Sequence, residues 1–469
     1  MTSSSESDRA TPEKNATASR RAMIGCLGIP ALLLVLIILG LGVWYQVEMR
    51  QARRALATEL KYVRERGVPL TSLDLEDSYR LDPQREDVTA ELLKLLAIAD
   101  DRQLQTLAAA LPIVGNGASP PSPGKDWPQL DEVEAYLGKH QAMRDFVATL
   151  PNRPFTVRYP VDLTQGMNAK LPHVQQVRHA ARLLQLQCHV DLHRNLPAEA
   201  VKRILEVLAL SDTLANEPII ISQLVRCALQ GVALRMLADT LQHADVSDAD
   251  LLRLQTALQQ FDGQQSWRQG LQGERAMAYT ASTLPLNKIG SPTLTRADLE
   301  RFASRQPPRP HDAALTLRIF RQMEVATDES LLKAIEAGAE TDSEVKLIAA
   351  HPVKRVVHMQ SLLYTPALGT GVQAAARTDA SLQSAATAIA ALRFRRANRV
   401  WPQQLSQLVP EFLTAVPTDP FDGQPLRMVV TDSEFKVYSI GKDKVDQGGD
   451  LAEPQMRDLG FVAPWRDAK

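Results

Sequence analysis

The chain has 469 residues, with 53 Lys and Arg against 54 Asp and Glu, a net charge of −1. That balance excludes a general nucleic-acid footprint, because phosphate binding needs a local surplus of Lys and Arg. Three cysteines in this length exclude a disulfide-built scaffold, and 45% hydrophobic residues supply material for more than one core.

Residues 1–21 are rich in Ser, Thr and charge and read as a disordered tail. Residues 22–46 read as a transmembrane helix, since no charged residue stands between Met23 and Tyr45. At 1.5 Å per residue, about 20 helical residues cross a ~30 Å hydrocarbon core. Trp44 and Tyr45 stand at one end, where apolar rings with polar tips suit the headgroup layer. The run is too long for a signal-peptide core, and no small-residue cleavage site follows it closely. Ile24-Gly25-Cys26 opens the run where a lipoprotein signal would close one, so Cys26 is not expected to be lipidated. Arg50, Arg53 and Arg54 outnumber Arg20 and Arg21 beside the span and slightly oppose a cytoplasmic N-terminus. The short tail ahead of a large domain favours it, and the expected arrangement is N-terminus inside, large domain outside.

Residues 47–114 read as a stalk and a helical hairpin. The stalk continues the membrane helix over 47–65 until Gly67-Val68-Pro69. Leu92, Leu93, Leu95, Leu96, Leu104 and Leu107, broken near Asp100-Asp101, predict the hairpin over 87–110. Residues 115–126 are a Gly-, Ser- and Pro-rich linker. The helical body follows over 127–378, with helices expected at 128–149, 173–194, 197–213, 217–243, 247–260, 264–281, 312–336 and 342–362. Ser247-Asp248-Ala249-Asp250 supplies a cap and an acidic first turn. Short connections imply antiparallel neighbours, as in a bundle or repeat array. Such a surface is expected to serve a protein partner.

Residues 379–452 form a carboxy-terminal module, and 453–469 a tail. A helix reaches about 397; Trp401-Pro402 then opens a short helix carrying Leu405, Leu408 and Val409. Val416-Pro417 and Asp419-Pro420 stiffen the exit, Phe421-Asp422-Gly423 reads as a turn, and strands are expected at 425–430 and 434–440. Gly441, Gly448 and Gly449 allow backbone corners around Asp443, Asp446 and Asp450. These three carboxylates are hard oxygen donors of the kind Ca²⁺ takes, though the spacing is not that of an EF-hand. An ordinary turn with solvent-facing aspartates, offset by Lys442 and Lys444, accounts for the same residues without an ion.

Other candidates are weaker. His189 and His193 share a helix face, but the Glu a zinc protease needs is Val190. Cys188 and Cys227 stand either as a pair or as buried thiols. Arg393, Arg395, Arg396 and Arg399 are expected to decorate a solvent face. Asp328, Glu329, Asp342 and Glu344 read as acids on solvated helix turns. The chain has no G-x-S-x-G, Walker loop or CxxC pair.

The order from the helix through Trp401-Pro402, Asp419-Pro420-Phe421-Asp422-Gly423 and Tyr438-Ser439-Ile440-Gly441-Lys442-Asp443 to Gly448-Gly449 resembles the carboxy-terminal region of type II secretion major pseudopilins. The resemblance implies a calcium loop at Asp443, Asp446 and Asp450 and a structural turn at Asp419-Pro420. Gly25-Cys26-Leu27-Gly28-Ile29 lacks the aromatic and Glu of that family's peptidase signature. The whole chain resembles uncharacterised single-pass membrane proteins of planctomycete-type bacteria, which implies a bacterial inner membrane. The fold expected is mainly α: a membrane anchor, a helical bundle or repeat-like body, and a small α+β module. The function expected is that of a non-catalytic envelope scaffold held in lipid through residues 23–45. A pseudopilin-like component of a secretion or filament system is the alternative, and a hydrolase the remote one.

Overall fold

The computed structural model describes residues 13–285, 288, 295–303, 305, 307–451 and 458–465, with side chains from Leu32 onward except at 303. Residues 1–12 of the expected tail therefore lie outside the described residues. From Glu13 the chain is helical: α1 (Glu13–Glu65) is one element of 53 residues that runs from the expected tail through the apolar stretch and the stalk. Gly67, at φ +63°, turns the chain out of it.

The hairpin region is built from α2 (Ser72–Ser78), α3 (Thr89–Leu96) and α4 (Arg102–Ala108). Thr71 and Asp74 form a capping box at α2, and the Asp101 carboxylate accepts the N–H groups of Gln103 and Leu104 to start α4. Next come α5 (Leu130–Gly138) and α6 (Gln141–Val147), and a short parallel pair, β1 (Glu86–Asp87) with β2 (Phe155–Thr156).

The body proper contains α7 (Pro172–His193), α8 (Pro197–Asp212), α9 (Ile220–His243), α10 (Asp248–Leu258) and α11 (Gly263–Thr283). Pro172 and Pro197 open their helices in the first turn, where a missing N–H is harmless. Then follow α12 (Arg296–Ala303), α13 (Pro310–Glu329), α14 (Leu331–Ala350), α15 (Pro352–Val357), α16 (Ser361–Tyr364) and α17 (Leu368–Asn398). The break between α13 and α14 falls at Ser330, earlier than the expected 337–341. Ser330 is extended, and its side chain accepts the Lys333 N–H, so it ends one helix and caps the next.

Two helices among the described residues, Leu32–Glu65 and Ile220–His243, are long and apolar enough to cross a membrane. Their surroundings differ. The Ile220–His243 helix is mostly buried among α7, α8, α11 and α17, as a core helix is. The apolar part of α1 is exposed from Leu32 to Tyr45.

The centre of the fold is α17, which packs on α9, α10, α11, α14 and the carboxy-terminal sheet. Ala375, Ala376, Ala380, Ala385, Ala386, Ala388, Ala390 and Ala391 are all buried along it. Small side chains let the neighbouring helices approach closely. At Gly371 the approach is so close that a Cβ would stand 2.6 Å from the Trp267 ring.

The sheet is antiparallel, with β3 (Arg427–Val430), β4 (Glu434–Ser439) and β5 (Leu459–Pro464) in that order. β5 lies in the stretch expected to be a tail. Its Phe461 and Ala463 are buried, and it pairs with β4 along its whole length. The carboxy-terminal module therefore continues past 452, with α17 and the sheet giving the small α+β unit beside a mainly α body.

Charged pairs tie the second half of α1 to this body. Glu59 takes both Arg321 Nε (2.7 Å) and Nη2 (3.1 Å), and Arg66 reaches Asp328 at 2.7 Å. Leu56 packs with Tyr279, Ala313, Ala314 and Leu317. Arg275 of α11 is fully buried; it pairs with Glu324 of α13 and donates to the Pro69 carbonyl at 2.8 Å. Removing one partner of such a pair leaves an uncompensated buried charge. Glu324→Ala is expected to lower stability by about 3–5 kcal/mol in chemical denaturation. Arg275→Met with Glu324→Leu recovers much of that loss; a single-mutant loss below ~1 kcal/mol would show that the pair is not a tie.

Candidate functional site

The carboxy-terminal module grows out of the last turn of α17. Trp401 is buried, with its ring 5.2 Å from Phe435 and 5.9 Å from Trp465. The Arg395 guanidinium lies 4.6 Å from the Trp401 ring and 4.2 Å from that of Trp465, a cation held between two aromatic faces. Arg393 reaches Asp248 and Gln255, and Arg396 reaches Asp245 and the Val246 carbonyl. Of the four arginines expected on a solvent face, Arg393, Arg395 and Arg396 thus join α17 to the start of α10 and to the aromatic side chains beside the sheet, whereas Arg399 is exposed. Long apolar stems lie along the protein while the guanidinium groups find partners.

Asp419 is the hub of the turn that follows. It is fully buried, and its carboxylate accepts the N–H of Phe421 (2.9 Å), the N–H of Ile440 (3.0 Å) and the Ser439 hydroxyl (2.8 Å). Its backbone closes the same turn: the carbonyl accepts the Gly423 N–H, and the N–H donates to the Gln424 carbonyl. Arg427 completes the hub, with Nη1 3.3 Å from Asp419, Nη2 2.6 Å from Asp422 and Nε 3.2 Å from Asp446. One arginine therefore spans the Asp-Pro turn and the glycine-rich loop.

In that loop the three aspartates have separate tasks. Asp443 accepts the Val445 N–H and the Gln447 side-chain amide. Asp446 accepts the Gly448 N–H at 2.8 Å and the Tyr438 hydroxyl at 3.1 Å, besides pairing with Arg427. The Gly448 N–H, with Tyr438 and Arg427 behind it, holds the Asp446 carboxyl below the usual carboxylate range. Burial pushes the Tyr438 phenol up to about 12, so it stays a donor at neutral pH. Asp450 is exposed, and its N–H turns inward to Asp458.

Asp458, in the stretch expected to be a tail, carries no local motif that marks it. It is fully buried, and its carboxylate collects the N–H groups of Gln447 (3.2 Å), Gly449 (2.8 Å) and Asp450 (3.3 Å). Burial outweighs these donors and keeps its carboxyl above the usual range. Gly448 and Gly449, at φ +71° and +78°, set the backbone so that the N–H groups face one point. The loop is thus wrapped around a carboxylate. Among the described residues, no three His, Cys, Asp or Glu side chains are placed together to hold a metal ion.

The remaining candidates are dispersed. His193 meets the Lys125 carbonyl at 3.1 Å and packs on Trp127, whereas His189 lies 3.8 Å from Asp239. Cys188 and Cys227 are buried and free. Asp328 is shared by Arg66 and Arg268, and Glu344 pairs with Arg318. These groups join elements of the fold.

Replacing Asp458 tests what closes the loop. Asp458→Ala leaves three N–H donors without their acceptor and is expected to cost about 2–3 kcal/mol. The accompanying fall in Tm should be the same with calcium and with chelator. A calcium-dependent rise in the Tm of the unaltered chain, abolished by Asp443→Ala, would instead place an ion among the three aspartates.

No family model matches the chain, and no curated protein or solved structure does either.

Proposed function

We propose that the protein is a non-catalytic, membrane-tethered scaffold or interaction protein of the bacterial cell envelope, anchored in the inner membrane by residues 23–45. The observation that carries this reading is the divided character of α1. From Leu32 to Tyr45 every large apolar side chain is half or more exposed, whereas Ala52, Leu56, Glu59 and Val63 are buried against the body. Keeping a large apolar side chain in water forgoes about 1.5–3 kcal/mol of burial, and here a dozen stand in one run. A bilayer removes that cost and satisfies the rule that a spanning segment bonds its own backbone.

The body offers a surface on which a partner can sit. A cleft of about 1000 Å³ opens between α8, α9, α10 and residues 150–157. Leu208, Leu252 and Phe261 line it together with Arg153, Arg226 and Arg253, a mixture suited to a protein segment. The expected orientation keeps the N-terminus in the cytoplasm and the body outside. The pseudopilin-like reading rests on the order of the carboxy-terminal motifs. Against it stands the long helical stretch that separates that module from the apolar helix.

Alkaline carbonate should leave the full chain with the membrane fraction. A chain lacking residues 1–45 should be released with an unchanged Tm, since the packed half of α1 is kept. Release of the full chain would defeat the anchor. An intact segment from Met1 to Tyr45, found by mass spectrometry, separates a tether from a processed pseudopilin-like subunit. Labelling of E411C by an impermeant maleimide in intact cells is expected for a body outside the membrane.

A further inference from the structure

Among the described residues away from α1, several large apolar side chains stand exposed close together in the sequence at the end of the α13–α14 hairpin. Leu347 is 75% exposed, Val353 65%, Val356 73%, Met359 50% and Leu363 53%. Single exposed apolar residues need no explanation, but several in one short segment of a packed body do.

The position of this patch follows from three sets of contacts. Glu59 pairs with Arg321 and Arg66 with Asp328, at the same sequence offset, so α1 and α13 run parallel. That register puts Pro310, the first residue of α13, beside Glu48, about one helical turn beyond Tyr45. The Arg318–Glu344 pair sets α14 antiparallel to α13, so Ala350 returns to the level of Asp312. There the buried Asp312 carboxylate accepts the N–H of Gln360 (2.8 Å), the N–H of Ser361 (2.9 Å) and the Ser361 hydroxyl (2.6 Å). Thr316 meets that hydroxyl at 2.9 Å. The segment 351–363 is thereby fastened to the end of α13 nearest the apolar half of α1.

Basic side chains surround it. Lys346, Lys354 and Arg355 are exposed on the patch, and Arg50, Arg53 and Arg54 are exposed on α1 at the same level. Short amphipathic helices with apolar residues toward the acyl boundary and Lys or Arg at the headgroups are the pattern of an interfacial membrane contact.

We propose that residues 347–363 dock on the surface of the same bilayer that α1 crosses, on anionic headgroups. Val353, Val356, Val357, Met359 and Leu363 enter the interface, and Lys346, Lys354 and Arg355 face the phosphates. The proposal rests on the reading of α1 as a membrane span, and its test separates the two.

The full chain with Cys26→Ser is placed in vesicles of phosphatidylcholine and phosphatidylglycerol and carries an environment-sensitive fluorophore at one of three introduced cysteines. L39C reports on the span, V356C on the patch, and E411C on the distant module; all three positions are exposed. Lipids spin-labelled near the headgroup should quench V356C, lipids labelled deep in the acyl chain should quench L39C, and E411C should respond to neither. Adding Lys354→Glu and Arg355→Glu should lower the quenching at V356C and leave L39C unchanged. Quenching at V356C no greater than at E411C, with L39C quenched, overturns the patch and leaves the span standing. An unquenched L39C overturns the span, and with it the docking of this segment beside the span.

Discussion

A single continuous helix governs this structure, because α1 has to satisfy two environments along one rigid axis. Past Pro30 it runs on to Glu65 without another proline, so no break separates the exposed apolar stretch from the packed one. The packed half is held by Leu56 in a core with α11 and α13, by Glu59–Arg321 and by Arg66–Asp328. Arg275, buried between α11 and α13, reaches back to the Pro69 carbonyl just past the helix end. Rotation or tilt of α1 must therefore carry the body with it.

The same device recurs at three junctions. Asp312 gathers the N–H groups that start α16, Asp419 those of the Asp-Pro turn, and Asp458 those of the glycine-rich loop. Each carboxylate is buried and answers donors that an irregular backbone leaves over. A carboxylate with two or three charge-assisted hydrogen bonds is a strong local anchor. At the glycine-rich loop this explains why a sequence rich in acid and glycine does not by itself require a cation. The point to which the loop amides turn is already occupied by the Asp458 carboxyl group, supplied from the approach to β5.

Much of the mainly α architecture is legible from residue pattern. Apolar periodicity and the capping residues locate α7 to α11 to within a few positions, because those helices are long and their ends carry Pro, Ser or Asp. The Ser330 break is hard to place from pattern because the apolar pattern continues on both sides of it, and only the cap marks the change of direction. β5 is not legible because six residues give little periodicity and its pairing with β4 spans a long stretch of chain. The Asp419 turn is legible because proline and glycine restrict the backbone locally. Asp458 is not, because its meaning depends on three N–H groups that only the folded loop brings to it. The arginine cluster misleads for a related reason: spacing on a helix gives a face, and only tertiary packing says what that face meets.

These features combine into a geometric argument about the tether. From Tyr45 to Glu65, α1 continues for about 30 Å at 1.5 Å per residue, so the hairpin tip at Ser330 stands about that far from the end of the apolar run. A helix alone fixes the distance and leaves the body free to spin about the bilayer normal and to lean. A second contact at the level of residues 347–363 would remove the lean, because two supports separated in the membrane plane define a tilt. The cleft between α8, α9 and α10 would then face a set direction relative to the lipid surface.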